Sequence, residues 1–210
     1  MGSTRYQICE RILRAVYGEQ PSDDSNVTVN LVNSWLMDAV AIAAKQNYKE
    51  NIQIDGINYT NNSFYTTFKG LSISQYEDFV FQMTLPQLPL GIGRNEGIST
   101  LQLVDADGVV SDAAIPLSEA QVGYARNMRP IPNKTLYYPE GQYIYIISVL
   151  QLFNYTGKVR MISGGDSTDI NSILNVPDDY MPVVIKYCSD MLRQERAQPK
   201  DAANDGTDRA

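Results

Sequence analysis

Side-chain catalysis needs particular residue types, and this sequence is short of several. It has no histidine, two cysteines and one tryptophan among 210 residues. Without histidine there is no Ser-His-Asp or Cys-His relay, no His-ligated zinc and no imidazole pH switch. Two separated cysteines, Cys9 and Cys188, cannot build a four-thiolate site. Each falls inside a helical pattern, so both read as reduced, buried thiols, with a disulfide between terminal helices as the alternative. Gly91-Ile92-Gly93-Arg94-Asn95-Glu96-Gly97 has the look of a phosphate loop. Its third glycine is one place late, however, and a strand pattern follows where a helix is required, so a turn is expected. Asp105-Ala106-Asp107-Gly108 lacks the third oxygen ligand and the twelfth-position glutamate of a calcium loop, and reads as a hairpin turn. Asp178 and Asp179 are helix neighbours, which diverge by about 100°, so they suit the helix dipole better than shared catalysis. A carboxylate-only glycosidase would need two facing acids roughly 5–10 Å apart, and no pair can be nominated. No enzyme, metal site or cofactor is expected.

What remains are groups suited to contact. Arg126, Arg129 and Lys134 surround Pro130-Ile131-Pro132. They fit either a solvated loop or an anchor against an acidic neighbouring chain. Among 14 tyrosines, Tyr59, Tyr65, Tyr137, Tyr138, Tyr143, Tyr145 and Tyr155 cluster around strand patterns. Tyrosine suits half-buried sheet positions, and equally interfaces where one end is apolar and the other wet. Asn-x-Ser/Thr occurs at Asn26, Asn58, Asn61, Asn133 and Asn154. With no apolar leader after Met1, these read as a by-product of Asn- and Thr-rich loops rather than glycan sites. The longest apolar stretches fall well short of the roughly 20 residues of a membrane helix. A net charge of −7 speaks against coating nucleic-acid phosphates. Folding in a reducing cytoplasm is expected.

The elements that must position these residues follow from periodicity. Ser3 or Thr4 caps a first helix to about Tyr17, with Ile8, Ile12, Ala15 and Val16 on one face and Gly18 as its stop. A polar loop covers Glu19–Asn26. A second helix runs from Asn26 or Val27 to Tyr48, burying Val29, Val32, Leu36, Ala39, Val40 and Ala43. Residues 51–70 read as loops with one or two short strands. Strands are expected at Glu77–Leu85, Ile98–Val104, Tyr143–Leu150 and Val159–Ile162. A short helix opens at Pro116–Ala120 with proline in its first position. A last helix follows Val176-Pro177-Asp178-Asp179, burying Met181, Val184, Ile185, Cys188 and Leu192. Gln198–Ala210 is polar. The fold class is α+β, with helices at both termini around a mainly antiparallel sheet. One domain spans 1–197. Its helical regions are residues 1–50 and 176–197, its β region is 51–175, and 198–210 forms a C-terminal arm.

The order of several segments resembles the head–tail connector or adaptor ring proteins of tailed bacteriophages, most closely those of crAss-like phages. They are Asn33-Ser34-Trp35-Leu36-Met37-Asp38-Ala39-Val40, Phe79-Val80-Phe81-Gln82-Met83-Thr84-Leu85-Pro86-Gln87-Leu88-Pro89-Leu90 with Gly97-Ile98, Lys134-Thr135-Leu136-Tyr137-Tyr138, Tyr143-Ile144-Tyr145-Ile146 and Val176-Pro177-Asp178-Asp179-Tyr180. The tail Gln198-Pro199-Lys200-Asp201 with Asn204-Asp205-Gly206 completes the set. The resemblance covers most of the chain. It implies a structural virion protein in a closed, commonly twelve-fold ring at the portal vertex. Such a ring binds the portal or another ring above and tail proteins below, and genomic double-stranded DNA passes through it without specific binding. Pro199, Lys200, Asp201, Asn204 and Asp205 would then join Arg126, Arg129, Lys134, Tyr137 and Tyr138 as contact residues. A non-enzymatic module that binds a polymer or peptide through a tyrosine-rich sheet is the competing expectation.

Overall fold

The computed structural model describes residues 2–18, 28–57, 59–91, 97–127, 130–164 and 168–197. The expected loop 19–26, the helix start at Asn26 or Val27, the interior of the glycine-rich turn, Arg129 and the arm 198–210 lie outside the described residues. The chain divides into two compact units, residues 1–43 with 164–210, and residues 44–163.

Three helices dominate the first unit. Helix α1 (Arg5–Tyr17) starts at Thr4, whose Oγ1 accepts from the Gln7 N–H at 3.2 Å while Gln7 Oε1 accepts from the Thr4 N–H at 3.1 Å. This reciprocal pair satisfies two otherwise orphaned donors. The next N–H groups, of Arg5 and Tyr6, donate to the carbonyls of Ser172 and Ile170 at 3.0 and 2.9 Å. Gly18, at φ 82, ends the helix. Helix α2 (Val29–Asp55) begins in this unit, and α4 (Met181–Ala197) follows a 3-10 turn, Asp178–Tyr180. Of the expected α4 stripe, Val184, Cys188 and Leu192 are buried while Met181 and Ile185 are half-buried, and Ile8, Cys9, Ile12 and Leu13 of α1 supply apolar partners. Pro177 precedes the 3-10 turn, and Asp178 and Asp179 occupy it, both exposed.

Arg5 is fully buried. Its Nε donates to Asn33 Oδ1 at 2.8 Å, one terminal nitrogen to the Gly164 carbonyl at 2.5 Å, and the other to the Asn33 carbonyl at 3.3 Å. A buried guanidinium is tolerable only when its donors are so satisfied. Gly164 has to be small: a Cβ there would stand 3.0 Å from Met37 Sδ and 3.3 Å from the guanidinium.

The second unit is built on one seven-stranded sheet in the order β3-β7-β1-β2-β6-β5-β4, antiparallel except for β4–β5. The strands are β1 (Tyr65–Glu77), β2 (Val80–Thr84), β3 (Ile98–Val104), β4 (Ile115–Pro116), β5 (Leu136–Glu140), β6 (Tyr143–Ile147) and β7 (Thr156–Ile162). Helix α3 (Glu119–Asn127) follows β4. Alternation on the strands sends Phe81, Met83, Tyr137, Ile144 and Ile146 to one core, with Leu101, Leu103, Val159 and Met161 from β3 and β7. Val80, Tyr138 and Ile147 take the opposite face, where Leu117 and α3's Val122 and Ala125 pack on them.

Several expected boundaries change. Helix α2 runs past Tyr48 because nothing breaks it before Gly56 (φ 67) and polar bonds hold its end. Buried Asn47 accepts from the Asn61 N–H at 2.9 Å and from Asn51 at 3.2 Å, and Asn51 also donates to the Tyr59 carbonyl at 3.0 Å. Residues 65–77 form one long strand rather than short ones. The strand expected at Glu77–Leu85 is two strands: Asp78 and Phe79 turn the chain, and Glu77 pairs with Val80. Phe79 takes φ 62, a left-handed conformation seldom adopted by a bulky residue, so composition gives no turn signal. The strand from Tyr143 stops at Ile147, short of Leu150. Pro116 sits on β4, not in the helix; Ser118 precedes α3 instead, where its N–H and hydroxyl both donate to Gln121 Oε1 at 2.9 Å.

Cys9 and Cys188 are free and buried, as their places in helical patterns predict. Loss of water pushes their thiols up to about 11 and about 12, and the Tyr137 phenol up to about 12. These groups stay neutral in the folded chain where the unfolded chain ionises. Their stabilising contribution is whole below about pH 9, the ordinary thiol value, and is lost as pH rises through about 11 and 12. Urea unfolding at stepped pH should therefore show stability falling above about pH 9, and Cys9→Ala/Cys188→Ala should flatten that fall. Thr4→Ala should cost about 1 kcal/mol in the same measurement. Arg5→Met, which orphans the Asn33 and Gly164 acceptors, should cost about 3 kcal/mol.

Candidate functional site

Asp105 and the two cysteines are committed to structure. Asp105 Oδ1 accepts from the Asp107 and Val109 N–H groups at 3.0 and 2.8 Å, and Gly108 at φ 80 completes that turn. Both thiols are buried and protonated, which suits packing rather than nucleophilic attack. Among the described residues, no group of three or more Cys, Asp or Glu side chains lies close enough to hold a metal ion. Among them too, no helix is long and apolar enough to cross a membrane.

Contact surfaces are better developed, and they belong to the second unit. Strand alternation separates the adjacent tyrosines of β5. Tyr137 faces the core and is 2% exposed, so it is a packing residue. Tyr138 lies on the other face, stacked on Tyr145 with ring centroids 5.2 Å apart and planes at 17°. Tyr145 in turn meets the edge of Tyr76 at 5.1 Å and 67°. This aromatic row crosses from buried Tyr138 to exposed Tyr76, and Tyr143 stands exposed on the same face. Such rows combine area, rigidity and a polar tip. Strand β5 is absent from the strands expected from periodicity, although the alternation of Leu136-Tyr138-Glu140 against Tyr137-Pro139 is a signal for it.

Two grooves flank β5. At its C-terminal end, a groove of about 480 Å³ is lined by Leu117, Val122, Gly123, Tyr138 and Pro139, with Glu119 and Glu140 at its rim. At its N-terminal end, a groove of about 500 Å³ includes Lys134, Ser111, Ile115, Thr135, Val149 and Leu150. Lys134 is exposed, after a turn in which Asn133 takes φ 61 and the Lys134 N–H donates to the Ile131 carbonyl at 3.2 Å. Proline at the second place and a left-handed asparagine at the third are what such a turn demands. Arg126 lies in the last turn of α3. The Arg126 side chain, with Arg129, Pro199, Lys200, Asp201, Asn204 and Asp205, lies outside the described region of the structure. The chain thus places Lys134 just before β5 and Tyr138 at the middle of that strand.

The aromatic row and the grooves beside it are features of a protein that makes contacts. The family model described as phage tail ring protein 2 matches residues 7–209. Among curated proteins, none matches the chain. The match spans nearly all of both units, and the chain belongs to the phage tail ring protein 2 family of crAss-like phages.

Proposed function

We propose that this phage tail ring protein forms a tier of the connector between portal and tail. Its ring joins the portal or an adjacent ring to tail proteins, and genomic DNA passes through its channel. The family match over residues 7–209 carries this reading, since it assigns a structural ring role within the virion. A twelve-fold ring follows the stoichiometry common to such tiers. Rings close through heterologous contacts, which need two different faces on each subunit. Arg126, Arg129, Lys134 and Tyr138 serve the lateral contact, and the arm 198–210, with Pro199, Lys200, Asp201, Asn204 and Asp205, orders on a neighbour. The acidic balance of −7 suits a channel that lets phosphates slide rather than gripping them.

Light scattering on the chain mixed with the portal should give a ring of defined mass. Deleting 198–210 should abolish that species while the melting temperature stays within about 2 °C, as expected for a surface change. A strictly monomeric full-length chain in that mixture would sink the reading. Assembled rings titrated with duplex DNA at low salt should show no tight binding; a submicromolar complex would overturn the channel assignment.

A further inference from the structure

We propose that the acid-rimmed groove at the C-terminal end of β5 receives the basic end of the same layer from a second copy of this chain. The proposal rests on the ring reading and names the lateral contact within it. The groove has apolar walls from Leu117, Val122 and Pro139, over a floor that includes the largely buried Tyr138. Among the described side chains, both charged residues lining it are acidic, Glu119 in the first turn of α3 and Glu140 at the end of β5. Both are exposed, and neither carboxylate has an ion-pair or hydrogen-bond partner among the described residues.

The complement lies at the other end of the same two elements. Lys134 precedes β5, is exposed, and has no carboxylate partner among the described residues; Arg126 lies in the last turn of α3. The four residue steps of β5 from Leu136 to Glu140 span about 13 Å, so Lys134 cannot reach Glu140 of its own copy. Layer α3/β5 therefore carries Glu119 and Glu140 at one end and has Lys134, which shares its own groove with Asp112, beyond the other. Two identical patches of this kind repel, whereas the acidic end of one copy attracts the basic end of the next. That is the head-to-tail relation a closed ring requires. Partial burial of the cation between the apolar walls and two carboxylates would make the contact more than a surface ion pair.

Charge swapping tests this on the full-length chain, assembled with the portal and measured by light scattering. Glu119→Lys/Glu140→Lys and Lys134→Glu/Arg126→Glu should each keep the wild-type melting curve but raise the concentration for half-assembly about tenfold or more. A one-to-one mixture of the two variants should restore rings, because each groove then meets its opposite charge. So should a chain carrying all four changes. Wild-type rings with an undiminished Glu119→Lys/Glu140→Lys ring would overturn the groove assignment and leave the ring reading intact. Loss of rings in both variants without rescue by mixing would likewise overturn it, as would normal rings that fail only to attach the next tier. Failure of the wild-type chain to form rings is the separate result that removes the ring reading itself.

Discussion

The second unit depends on how one long strand satisfies its backbone. Strand β1 has 13 residues, and no single neighbour runs its whole length. Its first segment, Tyr65–Ser72, pairs with β7, and its second, Ile73–Glu77, pairs with β2 on the other side. The register slips between Phe68 and Leu71, where Gly70 takes φ 71. Glycine is suited to that bend because it lacks the Cβ that makes positive φ costly. Changing partners mid-strand carries β3 and β7 on one side and β2, β6 and β5 on the other. Close approach is enforced inside: a Cβ on Gly157 of β7 would collide with Met83 Sδ of β2. The inner face thereby becomes the main core, and the outer face of β2, β6 and β5 is left for α3 and the tyrosine row.

The first unit is organised around a different constraint, the need to satisfy a buried cation. Arg5 links α1 to Asn33 of α2 and to the carbonyl of Gly164. Main-chain bonds from Leu174 to Ser3 and from Arg5 to Ser172 run alongside. Residues far apart in sequence are thus held by polar groups whose loss would leave acceptors buried without donors. Around them the packing is apolar, with Cys9 and Cys188 behaving as small hydrophobes.

A ring protein works through its contact surfaces, and the second unit presents several. The outer sheet face offers tyrosines with graded exposure, from Tyr138 at 5% to Tyr76 at 49%. Helix α3 covers some of this face and leaves a groove beside it. Acidic and basic groups fall at opposite ends of β5 because the strand places Lys134 before its start and Glu140 at its end. Charges separated by a rigid strand stay available to partners instead of neutralising each other.

Local signals fixed much of the helical architecture. Thr4 with Gln7, the apolar stripe ending at Gly18, and the Val184-Cys188-Leu192 stripe of α4 specify their elements through capping and a 3.6-residue period alone. Strand β3 is legible over its full length because Leu101 and Leu103 alternate inward at the two-residue period of a strand. The lack of histidine determined what the protein does not do with imidazole before any fold was known. The tertiary structure decided what non-local bonds control. It extended α2 through Asn47 and Asn51, turned the chain at a left-handed Phe79 that composition does not announce, and joined β1 from two half-ladders. It also assigned the adjacent pair Tyr137 and Tyr138 to opposite faces, one to the core and one to the aromatic row. Side-chain type is identical in that pair; only the register of β5 against β6 determines which tyrosine packs inside and which joins the aromatic row.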